Sequence, residues 1–171
     1  MSSAEPEAHP VMPEDFDLRA LHAALDAERV KRGLGWAAIG EELGVSAATL
    51  RGFGERRTAE GDGVLRAVAW LGRSPESFVP GRQLATAGER LPEGLAARTL
   101  RFDARALYEA LDAERAARGL TWREAAAASG AGSGAALTRL REGGRITFPE
   151  VMRVLAWLGQ PAARFVKTPQ G

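Results

Sequence analysis

The chain contains nearly the same sequence twice. Residues 16–79 begin FDLRALHAALDAERVKRGLGW and residues 102–166 begin FDARALYEALDAERAARGLTW. At an offset of 86, 16 of the 29 positions in 16–44 are identical. One extra residue in the second copy moves the offset to 87, and AWLG at 69–72 then meets AWLG at 156–159. Solenoid repeats run about 20–50 residues, so a unit of this length is a duplicated domain. The chain must present two related surfaces.

Copies of 64 and 65 residues have little core to spare, and each is expected as a compact helical cluster with its twin available to lean on. The absence of cysteine excludes disulfides, thiolate metal sites and thiol catalysis. No apolar run approaches the ~18 residues of a membrane span, and the N-terminus is acidic and Pro-rich rather than signal-like. The expectation is a cytoplasmic protein with no membrane partner. Net charge is only +1, but it is uneven. Residues 1–15 carry −4, the first copy is neutral, the second is +2, the stretch 80–101 is +2, and Lys167 adds one more. Charge alone does not argue for nucleic acid, so that case rests on the arrangement of residues.

Residues 1–15 have three prolines, four acids and no periodicity, and are expected to be a disordered acidic tail. Helical signals start sharply after it. Asp17 and Asp103 are N-cap candidates, with Phe16/Leu21 and Phe102/Leu107 at staple spacing. Leu18, Leu21 and Leu25 form an apolar stripe, matched by Leu107 and Leu111, and the helix closes on basic residues and Gly33 or Gly119. A second short helix follows, opened in the second copy by the capping box Thr121-Trp-Arg-Glu124. Gly44-Val-Ser46 reads as a tight turn into a third helix, 47 to about 57, with Leu50 and Phe53 inward; Leu137 and Leu140 are the counterparts. A fourth helix spans about 63–71 and 149–158, and a last turn ends in Phe78 or Phe165. Nothing alternates with period two for long, so no substantial sheet is expected. The 22 residues of 80–101, with Gly and Pro at both ends, read as a flexible linker, and 167–171 as a tail.

Helix, glycine turn, helix, with the second helix starting at a small polar residue, is a helix-turn-helix layout. RGLGWAAIGEELGVSAATLRGF (32–53), and RGLTWREAAAASG (118–130) with LTRLREGGR (137–145), resemble the phage-repressor-like (Cro/XRE) helix-turn-helix family. The resemblance implies an all-α fold: two tandem five-helix lambda-repressor-like domains, 16–79 and 102–166. It also implies that the third helix enters the major groove of double-stranded DNA. The positions that would meet DNA are Ser46, Ala47, Ala48, Thr49, Arg51, Arg56 and Arg57 in the first copy. In the second they are Arg123, Ser133, Ala135, Thr138, Arg139, Arg141 and Arg145. Arginine suits guanine edges and phosphates alike, and both roles stay open here.

The sequence departs from the family pattern at Gly52 and Gly54, each of which would weaken a helix by roughly 1 kcal/mol. It departs again at the lengthened turn 130–134. Trp36 and Trp122 stand where the family often places a phosphate-contacting Gln; they read either as core or as such contacts. Arg66 with Trp70, and Arg153 with Trp157, put a cation and a ring on one face of the fourth helix. They read either as an interface between copies or chains, or as edge-of-core packing. The run 28–32 reads as a solvated helix end or as phosphate contacts. Asp26 with Glu28, and Asp112 with Glu114, are two apart and face different directions, so they make no carboxylate pair. No phosphate loop, nucleophile elbow, catalytic triad, cofactor site or small-molecule site is visible, and no enzyme is expected.

These features lead to two expectations. The first is a bacterial-type, sequence-specific transcription regulator whose two reading heads act as a pseudo-dimer on an asymmetric site. The second is an interaction module that has kept the scaffold for a protein partner or a homodimer.

Overall fold

The computed structural model describes residues 16–56, 59–80, 91, 100–143 and 147–167. The acidic segment 1–15, most of 80–101, Arg57, Arg145 and the tail 168–171 lie outside them. The chain is mostly helical. In the first copy come α1 (Leu18–Arg32), α2 (Trp36–Leu43), α3 (Ala47–Gly52), a short strand β1 (Ala59–Glu60), α4 (Gly61–Trp70) and a 3-10 turn (Pro75–Phe78). In the second come β2 (Arg101–Phe102), α5 (Ala104–Ala117), α6 (Trp122–Ser129) and α7 (Gly134–Thr138), which runs into a 3-10 turn (Arg139–Glu142). They are followed by β3 (Thr147–Phe148), α8 (Glu150–Leu158), another 3-10 turn (Ala162–Phe165) and β4 (Val166–Lys167). Among the described residues, no helix is long and apolar enough to cross a membrane.

The capping signals act as the sequence implies. The Asp17 carboxylate accepts from the Ala20 N–H at 3.0 Å and Asp103 from that of Ala106 at 3.1 Å, caps worth about 1 kcal/mol each. Leu18, Leu21 and Leu25 are buried along α1, and Leu107 and Leu111 along α5. Thr121 and Glu124 form the reciprocal capping box of α6, whereas α2 starts at Gly35 with no side-chain cap.

The third helix is shorter than expected. It stops at Gly52, and Phe53 just beyond it is fully buried, as is Leu50. Gly54 then lies in the turn, where a Cβ would come within 3.1 Å of the His22 ring; at Gly52 it would come within 3.1 Å of Arg56 Nε. Gly52 is the last residue of α3 and Gly54 lies beyond it, so neither sits in a helix interior, where the expected weakening is largest. Both make room for a side chain.

The two copies do not close their cores separately. One continuous buried cluster runs from Phe16 to Phe165 and takes side chains from both. Strand β1 pairs antiparallel with β3, and Glu60 faces Thr147, its own counterpart in the repeat. An approximate two-fold axis therefore passes through that pair. Phe148, fully buried, stands beside the axis, 4.8 Å from the Phe16 ring and 6.4 Å from that of Phe102, edge to face with both. Its counterpart in the first copy is Gly61, also buried, so one ring fills the centre where two would collide.

A second junction is equally one-sided. The buried Glu76 carboxylate accepts from the Ala162 N–H at 2.7 Å. The counterpart of Glu76 is Ala163, and that of Ala162 is Pro75, which has no N–H to satisfy. Asp62 accepts from the Phe102 N–H at 2.8 Å, and Arg66 donates to Leu100 O at 3.0 Å. Leu91 and Leu100 are buried in the shared core, so the connection expected to be a free linker is anchored at both positions. The second copy also reaches past 102–166, since Arg101 and Phe102 pair with Lys167 and Val166.

Candidate nucleic-acid interface

Helices α2 and α3 meet through a three-residue turn. Gly44 takes the left-handed conformation (φ 70°), and its N–H donates to Gly40 O at 2.8 Å. The Ser46 hydroxyl accepts from the Thr49 N–H at 3.1 Å and starts α3. The two helices approach so closely that a Cβ on Gly40 would lie 2.5 Å from Val45 O. In the second copy Ala126 occupies that place, and the turn, 130–133, is one residue longer. The tight approach has moved to Gly134, where a Cβ would meet the Trp122 and Arg123 backbone at 3.2–3.3 Å. The insertion thus reseats the third helix around a methyl group, and Ser133 still caps it, accepting from the Ala136 N–H at 3.1 Å.

The fourth helix pins this turn in both copies. Arg66 donates to Leu43 O and Gly44 O at 3.5 and 3.4 Å; Arg153 donates to Gly130 O at 3.2 Å. The arginines expected as interface candidates are therefore clamps on the C-terminal carbonyls of α2 and α6, where a cation also meets the negative end of the helix dipole. Arg66 adds a bond to Leu100 O in the segment that connects the copies. Their ring partners stay within their own copies. The Arg32 guanidinium covers Trp70 at 4.5 Å, and that of Arg118 covers Trp157 at 4.5 Å. Trp70 Nε1 also donates to Glu42 Oε1 at 2.8 Å. The two copies are joined instead by Phe148, Glu76, Asp62 and the β1–β3 pair, whose meaning depends on contacts distant in sequence.

Trp36 and Trp122 belong to internal packing. Trp36 stacks on His22 at 5.3 Å under Arg29, and Trp122 on Tyr108 at 5.2 Å under Arg115. Each of these arginines binds an aspartate one turn back (Asp26, Asp112) and the carbonyl of Leu34 or Leu120. Arg32 and Arg118 pair with Glu28 and Glu114 at 2.7 and 2.6 Å. The two arginines of the basic run at the end of α1 are thus each paired with a carboxylate of the same helix, while Lys31 is exposed.

The outer faces of the third helices are different. Ser46, Ala48, Arg51 and Arg56 are exposed, with Ala47 and Thr49 half-buried. In the second copy Arg123, Ser133, Ala135, Arg139 and Arg141 are exposed, with Thr138 half-buried and its hydroxyl donating to Ala135 O. None of these arginines has an ion pair among the described residues. Arg57 and Arg145 lie outside the described residues. Ser46, Thr49, Arg56 and Arg66 line one cleft of about 520 Å³, together with Glu60, Asp62 and Arg101. A second, of about 630 Å³, shares those last three and reaches Arg105, Arg141, Glu142 and Lys167. Arg51, Arg123 and Arg139 line neither and stand on open surface. Nothing local in the sequence singles out Arg101, Arg105 and Lys167, because only the β2–β4 pairing brings the two ends of the second copy together. The chain matches no family model, no curated protein and no solved structure.

Proposed function

We propose that the chain is a sequence-specific, double-stranded DNA-binding transcription regulator of bacterial type. Two helix-turn-helix heads of the phage-repressor-like (Cro/XRE) class, in five-helix domains of lambda-repressor type, act as a pseudo-dimer in the cytoplasm. One observation carries the reading. In both copies a serine-capped third helix is locked to its neighbour by a left-handed glycine and a clamping arginine, and its small, polar and cationic side is left to solvent. A short helix with small residues at its start and unpaired arginines on it or just beyond its end is shaped for the major groove, where arginine meets guanine edges or phosphates. The approximate two-fold axis supplies within one chain the relation that two subunits give on a palindromic site. The third helices differ, so the preferred site is asymmetric. Selection from a random duplex library at low salt tests this: a single asymmetric consensus supports it, and no enrichment refutes it.

A protein-binding role for the first copy is the competing reading. Glu41 and Glu42 are exposed at the end of α2, where the second copy has Ala127 and Ala128, and they dilute the positive face beside α3. Replacing Arg51, Arg56 and Arg57 by Glu abolishes a DNA complex but leaves an apolar protein contact largely intact.

A further inference from the structure

We infer that Arg101 and Lys167, with Arg141 beside them, form a phosphate-holding site for the DNA backbone in the trough between the two copies. The inference rests on the DNA-binding reading above and extends it to residues outside both reading helices.

The strand register supplies the first argument. Arg101 on β2 lies directly opposite Lys167 on β4, so two exposed cations stand side by side on one face of the pair. Directly opposed side chains have Cβ atoms about 4.5–5.5 Å apart, and like charges there are destabilising. Neither cation has an ion pair among the described residues, and neither does Arg141 on the same cleft. By contrast, the arginines at the ends of α1 and α5, Arg29, Arg32, Arg115 and Arg118, each have a carboxylate. An uncompensated repulsive pair is what an anion would relieve. The acids in the cleft do not fill that role. Asp62 accepts from the Phe102 N–H, Glu60 has a partner of its own, and Glu142 lines the cleft without an ion pair to any of these cations. Arg105 adds a further cation, held only loosely by Glu109 at 3.8 Å.

The form of the trough supplies the second argument. The cleft holding these cations adjoins the one that reaches Ser46 and Thr49 on α3. A ligand filling both runs from Ser46 and Thr49 of the first copy, past Glu60 and Asp62, to Arg141 and Lys167 of the second. An extended polyanion such as a nucleic-acid backbone can touch both clefts at once; one small phosphate occupies only an end of them. The patch has no twin. The counterparts of Arg101 and Lys167 are Asp15 and Pro80, so the backbone is gripped on the second copy's side alone.

The test uses the full chain and a labelled random-sequence duplex, with affinity followed over a range of salt concentrations. Arg101→Gln with Lys167→Gln is compared with Arg19→Gln with Arg164→Gln, two exposed cations that line neither cleft. Losing two phosphate contacts lowers the slope of log affinity against log salt by about 1.8, which is roughly sixty-fold in affinity near 0.1 M. The control pair, with the same net charge, changes far less. Thermal unfolding of the Arg101/Lys167 variant stays equal to or above wild type, since a repulsion has been removed. If wild type binds duplex and both variants match each other, the site is refuted and the DNA reading stands. If wild type binds no duplex at low salt, both fall. If inorganic tripolyphosphate displaces duplex at equal phosphate concentration, the occupant is a small phosphate compound, and the backbone assignment is overturned.

Discussion

The single shared core has a measurable consequence at Phe148. The ring is fully buried beside the two-fold axis and touches an aromatic side chain from each copy, Phe16 and Phe102. Truncating a buried Phe to Ala costs about 3–5 kcal/mol. A domain of this kind has a total stability of about 5–15 kcal/mol, so Phe148→Ala removes a large fraction of it. With a urea dependence near 2 kcal/mol per molar, the unfolding midpoint falls by roughly 1.5–2.5 M. The four tryptophans provide local probes. A background with Trp122→Phe and Trp157→Phe reports the first copy through Trp36 and Trp70, and the converse background reports the second. Phe148 belongs to the second copy, yet both probes should shift together in one cooperative transition. If the midpoint of the first copy stays in place while the second falls, the copies are independent units and the shared core is refuted. A shift below about 0.5 M in both would show that the ring is not packed as described.

Other perturbations read out other parts of the argument. Gly40→Ala drives a Cβ into Val45 O and destabilises by about 1–3 kcal/mol, seen as a lower thermal midpoint together with weaker duplex binding. Glu76→Ala leaves the buried Ala162 N–H without its acceptor, at about 1–3 kcal/mol, and speeds hydrogen exchange at that amide, whereas a surface change such as Arg19→Gln does neither. On the selected duplex, Arg51→Ala and Arg139→Ala each weaken binding by about 1–3 kcal/mol where the arginine reads a base. Each relaxes preference at its own end of the site only. Equal weakening on every sequence would reassign that arginine to phosphate.

Much of the helical scaffold was legible because its signals are local. Asp17, Asp103 and the Thr121–Glu124 box announce helix starts, Gly33, Gly44 and Gly119 announce ends, and the leucine stripe states which side faces inward. What was hidden depends on partners far away in sequence. By spacing alone Gly52 and Gly54 read as damage to a helix, because nothing local says that Arg56 and His22 pack against them. Arg66 and Arg153 share a helical face with tryptophans, which suggested an interface, whereas their range includes carbonyls some 22–23 residues back. Phe148 and Glu76 looked unremarkable, since nothing local says that they lie against the other copy. The candidate arginines of the third helices were legible as exposed cations from their spacing. The opposed pair Arg101 and Lys167 was not, because it needs the two ends of the second copy to meet.

The one-sided fillings at the axis separate this protein from the symmetric dimers its repeat evokes. In a homodimer every substitution enters twice, once on each side of the axis, and must be tolerable against its own image. Here a ring entered once, opposite Gly61, and a carboxylate entered once, opposite an N–H that the other side lacks. The first half paired with itself would set two Glu76 carboxylates near prolines that offer no donor. The second paired with itself would bring two Phe148 rings into the space of one. Expressed as separate pieces, the halves should therefore recombine one of each and reject their own kind. Fusion has made the duplication irreversible, since each half is now fitted to the differences in the other.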